Sequence, residues 1–393
     1  MGGIGLIAFF SCIFLAQPAF SDVELVQSVP LETDLTVPGI PMTQDVWLQM
    51  VQNAKSTIDL EQYYMSPGDS LQPILQAIED AATRGVHVRM LLDASFLKTN
   101  STGPTQFLSN PNIEVRSIDF SATGGIQHAK YIVVDGTDIY SGSANFDWLA
   151  LSHIHEVGLH ITDAQLGAKV ESIFNQDWPN GLALTPPNSS STQSPAVCQN
   201  LIFPQFHQST LTSFADDSGL QIVASPMADA VSGIPDTLAS ILQLMSNAQK
   251  TIQIQVYEYS TTPFNGGSPW KDLDNGIRAA VARGVQVQMI VDATVMRSGK
   301  KDLQALAKLP NVSITAITIP QWSGGPLQYA RLIHSKYMIV DGALGWVGSE
   351  NWIDTYFTGS RNVGTIINST NLAQGLNSIF TTVWNSPYGV AVK

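Results

Sequence analysis

Cysteine is almost missing from this chain: of 393 residues only Cys12 and Cys198 carry a thiol. Cys12 lies in an apolar N-terminal segment. If that segment is removed, Cys198 stands alone, and an internal disulfide is excluded. Charge is also sparse, at 13% of residues, and basic charge is scarcer than acidic: 19 Lys and Arg against 32 Asp and Glu, net −13, pI about 4.8. A general basic groove for nucleic acid is thereby excluded, although a local patch survives readily inside an acidic protein. Beyond residue 21 no apolar run reaches membrane-spanning length, so the mature chain is expected to be soluble.

The first 21 residues carry no charged side chain. The run Leu6 to Leu15 reads as the hydrophobic region of a signal peptide, and Ala19-Phe20-Ser21 places small residues at the −3 and −1 positions of a cut before Asp22. No Lys or Arg precedes the run, so an uncleaved anchor is the alternative. Either way the chain is expected to be exported, to the medium or to a periplasmic or lumenal space. The Asn-x-Ser/Thr triplets at Asn100, Asn188, Asn311 and Asn368 are about as many as chance supplies.

With 44% hydrophobic residues the chain holds two domains of ordinary size, and it is written as two copies of one pattern. His128-Ala-Lys130-Tyr-Ile-Val-Val-Asp135 leads to Gly142-Ser143-Ala-Asn145. His334-Ser-Lys336-Tyr-Met-Ile-Val-Asp341 leads to Gly348-Ser349-Glu-Asn351, 206 residues on with identical internal spacing. The repeat extends outward. Asn53-Ala-Lys-Ser-Thr-Ile matches Asn247-Ala-Gln-Lys-Thr-Ile, and alternating stretches follow, Ile58 to Tyr64 and Ile252 to Tyr259, that predict strands. Arg84-Gly85 and Arg283-Gly284 predict helices closed by glycine, each followed by a buried strand ending at Asp93 or Asp292. Ser172 to Trp178 matches Ser378 to Trp384. The offset grows from 194 to 199 to 206, which places longer loops in the second half, around Thr261–Trp270 and Pro320–Pro326.

Strands alternating with helices predict an α/β or α+β sandwich in each half. The division expected is 1–21 signal or anchor, 22–184 first lobe, 185–218 a Pro/Ser-rich linker, and 219–393 second lobe. A duplicated set able to face itself across an interface implies one shared site.

His128 and Lys130, two apart, are expected on one face of a strand, as are His334 and Lys336. A phosphodiester needs that combination, because its phosphate is anionic and further negative charge develops in the transition state. The lysines supply a cationic clamp without a metal, and Asn145, Asn351, Ser143 and Ser349 are expected to donate to the phosphate oxygens. Two imidazoles divide the labour: one attacks phosphorus, the other serves the leaving and entering oxygens.

This pattern, two His-x-Lys motifs each with its downstream Asp and Gly-Ser-x-Asn, resembles the phospholipase D superfamily. The flanks Gly142-Ser-Ala-Asn-Phe-Asp-Trp148 and Tyr356-Phe-Thr-Gly359 are similar to the branch holding lysosomal single-strand exonucleases and a poxvirus envelope protein. The resemblance implies two similar lobes with pseudo-two-fold symmetry, one cleft between them, no cofactor, a phosphohistidine on His128 or His334, and motif aspartates, Asp135 and Asp341, that are structural. It also implies a carboxylate eleven residues after each motif Asn to orient its histidine. Glu156 fits after Asn145; Asn362 stands in that place after Asn351. A carboxylate favours a cationic imidazole, so with Glu156 taken as the partner of His128, the nucleophile is expected to be His128 and the acid/base His334, with Glu258 as a possible support for His334.

His153 and His155 form a His-x-His pair without further zinc ligands and are expected to face solvent. His87 and His207 receive no role. Tyr63, Tyr64, Trp148, Tyr257, Tyr259, Trp270, Trp322, Trp352, Tyr356 and Phe357 either line a cleft or pack as core. Lys300-Lys301 reads as a solvated helix entry. Phospholipid head-group hydrolysis or transfer is the first substrate expectation, with peripheral membrane contact and no obligate protein partner. Exonuclease action on single-stranded DNA or RNA is the second. A catalytically idle membrane-associated or binding protein is the third, and two intact His-x-Lys sets argue against it.

Overall fold

The computed structural model describes residues 22–98, 102–185, 219–263, 266–297 and 299–393. The expected signal or anchor, Cys198 and nearly all of the expected linker lie outside the described residues.

Eight strands form the first sheet: β1 Asp22–Ser28, β2 Thr57–Gln62, β3 His87–Asp93, β4 Ile113–Ile118, β5 Tyr131–Val134, β6 Asp138–Gly142, β7 Glu156–Thr162 and β8 Leu182–Ala183. Eight more form the second: β9 Leu220–Ser225, β10 Thr251–Gln255, β11 Gln286–Asp292, β12 Val312–Ile317, β13 Tyr337–Val340, β14 Leu344–Gly348, β15 Asn362–Asn368 and β16 Gly389–Ala391. The first sheet runs β1-β7-β6-β5-β2-β3-β4-β8, and adding eight to each number gives the order of the second. The duplication legible in the sequence is therefore a duplication of topology. Within these two sheets parallel pairing is confined to β2-β3-β4 and β10-β11-β12, and their remaining ladders are antiparallel.

Local chemistry explains the repeated units. The helices Gln72–Thr83 and Asp272–Ala282 end at Gly85 (φ +97°) and Gly284 (φ +93°). Val86 N–H bonds back to Ala81 O and Gly85 N–H to Ala82 O, a Schellman closure that the second half repeats with Val285 and Gly284. β5 and β6 join through Asp135-Gly136, and β13 and β14 through Asp341-Gly342, with positive φ at both residues of each turn, as a type I′ hairpin requires.

Each sheet packs apolar residues on both faces. On the outer face of the first lie the helices Thr43–Asn53 and Gln72–Thr83, around Trp47, Ile78, Met90 and Phe146. On the outer face of the second lie Thr237–Asn247, Asp272–Ala282 and Lys300–Ala307, around Met245, Ile277, Leu306 and Trp346. The inner faces share a single core. The helices Ala164–Asp177 and Thr370–Trp384 contribute Val170, Phe174, Leu376 and Phe380, which pack with Leu25, Tyr131, Val157, Ile222, Tyr337 and Val363. Each lobe's inner surface is thus buried by the other lobe, and the relative placement of the two is fixed by core packing. Among the described residues no helix is long and apolar enough to cross a membrane.

Candidate active site

β5 begins at Tyr131 and β13 at Tyr337, so His128, Lys130, His334 and Lys336 sit on the extended segments entering those strands, just outside the ladders. Asp93 and Asp292 hold the segments in place: their carboxylates accept from Gln127 N–H (2.9 Å) and Ile333 N–H (2.8 Å), one residue ahead of each histidine. Lys130 and Lys336 then turn back, each Nζ donating to the carbonyl of its own motif histidine at 2.6 Å. The motif aspartates lie elsewhere. Asp135 accepts from the backbone of Lys55, Ser56 and Thr57 and from the Ser56 hydroxyl; Asp341 accepts from the backbone of Gln249, Lys250 and Thr251. They staple the hairpin to the start of β2 or β10.

The two lobes are stitched at the histidines by one interaction made twice. Gln127 bridges Arg361, with His128 N–H donating to Arg361 O (2.8 Å) and Arg361 N–H to Ile126 O (3.0 Å). Ile333 bridges His155, with His334 N–H donating to His155 O (2.9 Å) and His155 N–H to Leu332 O (2.9 Å). The consequence falls on the next residue of each pair. Glu156, the first residue of β7, is delivered to the histidine of the other lobe, and its Oε1 lies 2.7 Å from His334 Nδ1. Asn362, the first residue of β15, places its Oδ1 2.9 Å from His128 Nδ1.

This corrects the pairing expected from sequence. Glu156 and His128 belong to one repeat, but the ladder between lobes exchanges the partners, so His334 has the carboxylate and His128 the neutral amide. The expectation of His128 as nucleophile rested on that pairing and loses its ground. Glu258 is not needed as the support for His334.

The serines are a second correction. Ser143 and Ser349 have no exposed surface. Ser143 Oγ donates to Val157 O and accepts from Val157 N–H, both at 3.1 Å; Ser349 Oγ donates to Asn362 Oδ1 at 3.0 Å and accepts from Val363 N–H. Their hydroxyls are taken up by the strands that carry Glu156 and Asn362. Asn145 and Asn351 remain close to the surface of the site, 7% and 3% exposed. The Asn145 amide lies 3.5 Å from the Tyr64 hydroxyl, and an Asn351 hydrogen bond reaches Tyr356. A third correction concerns His153 and His155: both are buried, His155 inside the lobe junction with Nδ1 3.0 Å from Ser335 Oγ. His153 packs against Trp148 and Trp322.

Aromatic rings border the imidazoles. Tyr63 and Tyr356 lie 5.3 and 4.8 Å from His128, and Tyr257 lies 5.1 Å from His334. Lys130 sits over Tyr63 and Lys336 over Tyr257. Tyr63, Tyr64 and Phe96 form a three-ring cluster beside His128, with Tyr64 stacked on Phe96 at 4.3 Å. Other aromatics named from the sequence are core: Trp352 and Tyr259 are fully or nearly fully buried.

Burial governs the electrostatics. It holds both imidazoles well below the usual histidine range, with Lys130 and Lys336 adding repulsion. It pushes Lys130 well down and Lys336 down to about 7, and pushes Glu156 up to about 7. Two lysines and two imidazoles so placed stabilise one another poorly and an anion well. Among the described residues no group of three or more His, Cys, Asp or Glu is arranged to hold a metal ion.

Chemically, the arrangement offers two imidazoles with Nδ1 anchored, two buried lysine amines, and two amides, drawn equally from both lobes. The cross-lobe pairing was hidden because the eleven-residue spacing is the same whichever histidine receives the side chain. Arg361 and Asp177, described below, gave no signal in the repeat.

The family model described as "Cardiolipin synthase, PLD-like domain" matches residues 47–178 and 241–384. Phospholipase D Z of Dictyostelium discoideum is 28% identical over 98% of this chain and 98% of its own length. The human 5′-3′ exonuclease PLD4 is 28% identical over 94% of this chain and 78% of its own. The crystal structure of phosphatidylserine synthase from Haemophilus influenzae shares the fold, with a TM-score of 0.65 over 89% of this chain and 85% of its own at 15% identity.

Proposed function

We propose, from the premise that this chain belongs to the phospholipase D-like family and is a phosphoric diester hydrolase of that type, that it works through a phosphohistidine on His334. The single observation behind this assignment is the Glu156–His334 contact across the lobes. A carboxylate on Nδ1–H fixes the tautomer, leaves the Nε2 lone pair free, and compensates the positive charge the ring gains when Nε2 is phosphorylated. His128, with a neutral amide on Nδ1, holds its proton less firmly and is the better acid.

In the first step His334 Nε2 attacks phosphorus and the phosphorus–oxygen bond to the leaving group breaks. His128 Nε2–H gives its proton to the departing oxygen, releasing an alcohol. Lys130, Lys336, Asn145 and Asn351 donate to the non-bridging oxygens as charge builds on them. In the second step His128 takes a proton from water or an alcohol, that oxygen attacks phosphorus, and the phosphorus–nitrogen bond breaks to restore His334.

The substrate we propose is a phospholipid, cleaved or transferred at its head group and presented at a membrane surface, in keeping with an acidic chain whose export we also propose. A second reading, trimming of single-stranded nucleic acid, is favoured by one specific feature, the Tyr63, Tyr64 and Phe96 cluster beside His128, which suits a stacked base.

One assay separates these. Phosphatidylcholine vesicles with ethanol and an end-labelled single-stranded oligonucleotide are offered together, in EDTA, to the wild type and to His128→Ala and His334→Ala. Head-group release or phosphatidylethanol lost in both variants supports the first reading, and oligonucleotide trimming lost in both supports the second. Base-quenched mass spectrometry with a p-nitrophenyl diester is expected to find the phosphoryl adduct on His334 in His128→Ala protein and none in His334→Ala. An adduct on His128 would reverse the assignment.

A further inference from the structure

Behind the two imidazoles the halves differ. The residue that receives the His334 amide is His155, which burial holds down at about 4 and so uncharged near neutral pH. Around its ring Gln255 Nε2 donates to Ser335 Oγ (2.5 Å) and Tyr337 Oη donates to Gln255 Oε1 (2.8 Å), with the carboxyl of Glu156 nearby. The residue that receives the His128 amide is Arg361, and it is an ion. Its side chain has no exposed surface. Nε and Nη2 grip the two oxygens of Asp177 at 2.6 and 2.9 Å, Nη2 also bonds Asp229, and Nη1 donates to Ser225 O at 3.1 Å. Glu61, buried nearby and pushed up to about 8 first by burial and then by Asp177, accepts from Tyr131, the neighbour of Lys130.

A buried Arg with two carboxylates is an expensive device for stability alone, since apolar packing of equal volume serves as well. Its geometry gives it another use. A planar guanidinium gripped at both ends has one orientation. That orientation sets the Arg361 carbonyl, which takes the His128 N–H, and the start of β15, whose first residue, Asn362, takes His128 Nδ1. Asp177 ends the helix Ala164–Asp177 of the first lobe, so the same grip ties the two lobes at the point where His128 needs them in register.

We propose that Arg361, held by Asp177 and Asp229, is a positioning residue for the acid/base step, acting on His128 through its own carbonyl and through Asn362. This rests on the reading above, in which His128 protonates the leaving group. It predicts a loss that depends on the leaving group. An alkoxide needs the proton from His128, whereas p-nitrophenolate departs without it.

The test uses the full chain with two substitutions, Arg361→Lys, which keeps charge but loses the fork, and Asp229→Asn, which trims one partner only. Each is assayed on bis(p-nitrophenyl) phosphate and on the alkyl-leaving substrate that the wild type turns over, vesicle lipid or oligonucleotide. Folding is checked by thermal melt. For the alkyl-leaving substrate we expect kcat to fall about 10- to 100-fold with KM within about twofold, a fraction of what general acid catalysis is worth. The pre-steady-state burst of p-nitrophenolate should keep its amplitude and rate within about threefold, followed by slow turnover, because His128 must still activate water. A p-nitrophenolate burst slowed as much as kcat on the alkyl-leaving substrate, in folded protein, would make the role merely structural and overturn the proposal, as would unchanged activity on both. Failure to trap a phosphoryl adduct on either histidine in the base-quenched experiment would instead overturn the phosphohistidine reading beneath it.

Discussion

Glu156 and Asn362 hold equivalent places in the two halves, eleven residues after Asn145 and Asn351, yet only one carries charge. Exchanging them in turn isolates that charge. Asn362→Asp puts a carboxylate behind His128, raises its affinity for the proton, and is expected to move the alkaline limb of the kcat profile up by about one pH unit, the size of shift a nearby opposite charge commonly produces. Glu156→Gln is expected to lower kcat at least about tenfold, as loss of an orienting carboxylate does. Its effect on stability runs the other way. The folded-state pKa of Glu156 is raised from 4.5 to about 7, so the contribution it makes in protonated form is full below 4.5 and lost as pH rises through about 7. Glu156→Gln should therefore raise the melting temperature by a few degrees at pH 8 and leave it unchanged at pH 4. Lys336, held at about 7, carries a third expectation. A bound anion raises its pKa, so binding takes up a proton. Inhibition by sulfate, which does not titrate here, should weaken by up to about tenfold per pH unit above pH 7.

At the scale of the element, the clearest device is the Asp-Gly hairpin of each motif. Asp135 and Asp341 adopt left-handed φ (51° and 52°) and accept three backbone N–H groups each from the segment before β2 or β10. Asp135→Ala is expected to cost about 1–3 kcal/mol for the orphaned donors and for the strained φ of a non-glycine turn residue. A melt would show it, while kcat at 25 °C should stay within about threefold, because His128 is anchored separately by Asp93 and Arg361. A fall in kcat as deep as that of His128→Ala would place Asp135 in the chemistry after all. Elements of this kind were legible in advance. The glycine closures at Gly85 and Gly284, the buried strands ending at Asp93 and Asp292, and the strands following each His-x-Lys all depend on residues within a few positions of one another. The strands after Ile58 and Ile252 end sooner than their alternation suggests, at Gln62 and Gln255, because Tyr63 and Tyr257 leave the sheet to border the imidazoles.

At the scale of the molecule, the candidate site among the described residues lies at the junction of the lobes. Neither lobe alone owns a complete histidine, since each Nδ1 is held from across the junction. Close approach there depends on Gly125 and Gly359. A Cβ on Gly125 would stand 2.1 Å from the Gly359 carbonyl and 2.4 Å from Ser360 N, all backbone atoms that no rotamer change moves. Gly125→Ala should therefore spread the lobes, lowering the melting temperature by several degrees and kcat by more than about tenfold, since misplacement by about an ångström can cost a hundredfold. A crystal or solution structure of the variant with unchanged His128–Asn362 and His334–Glu156 distances would contradict this.

By itself the sequence determined the duplication, the order of elements in each half, the candidate His, Lys and Asn set and the class of enzyme. Each of these is written in local spacing, and local spacing is what backbone geometry reads. Only the tertiary structure decided which carboxylate or amide serves which histidine, that Ser143 and Ser349 brace strands, that His153 and His155 are buried, and that Arg361 stands behind His128. Those outcomes depend on how two inner faces pack into one core, and a contact between residues 178 or 234 positions apart leaves no trace in the spacing of either.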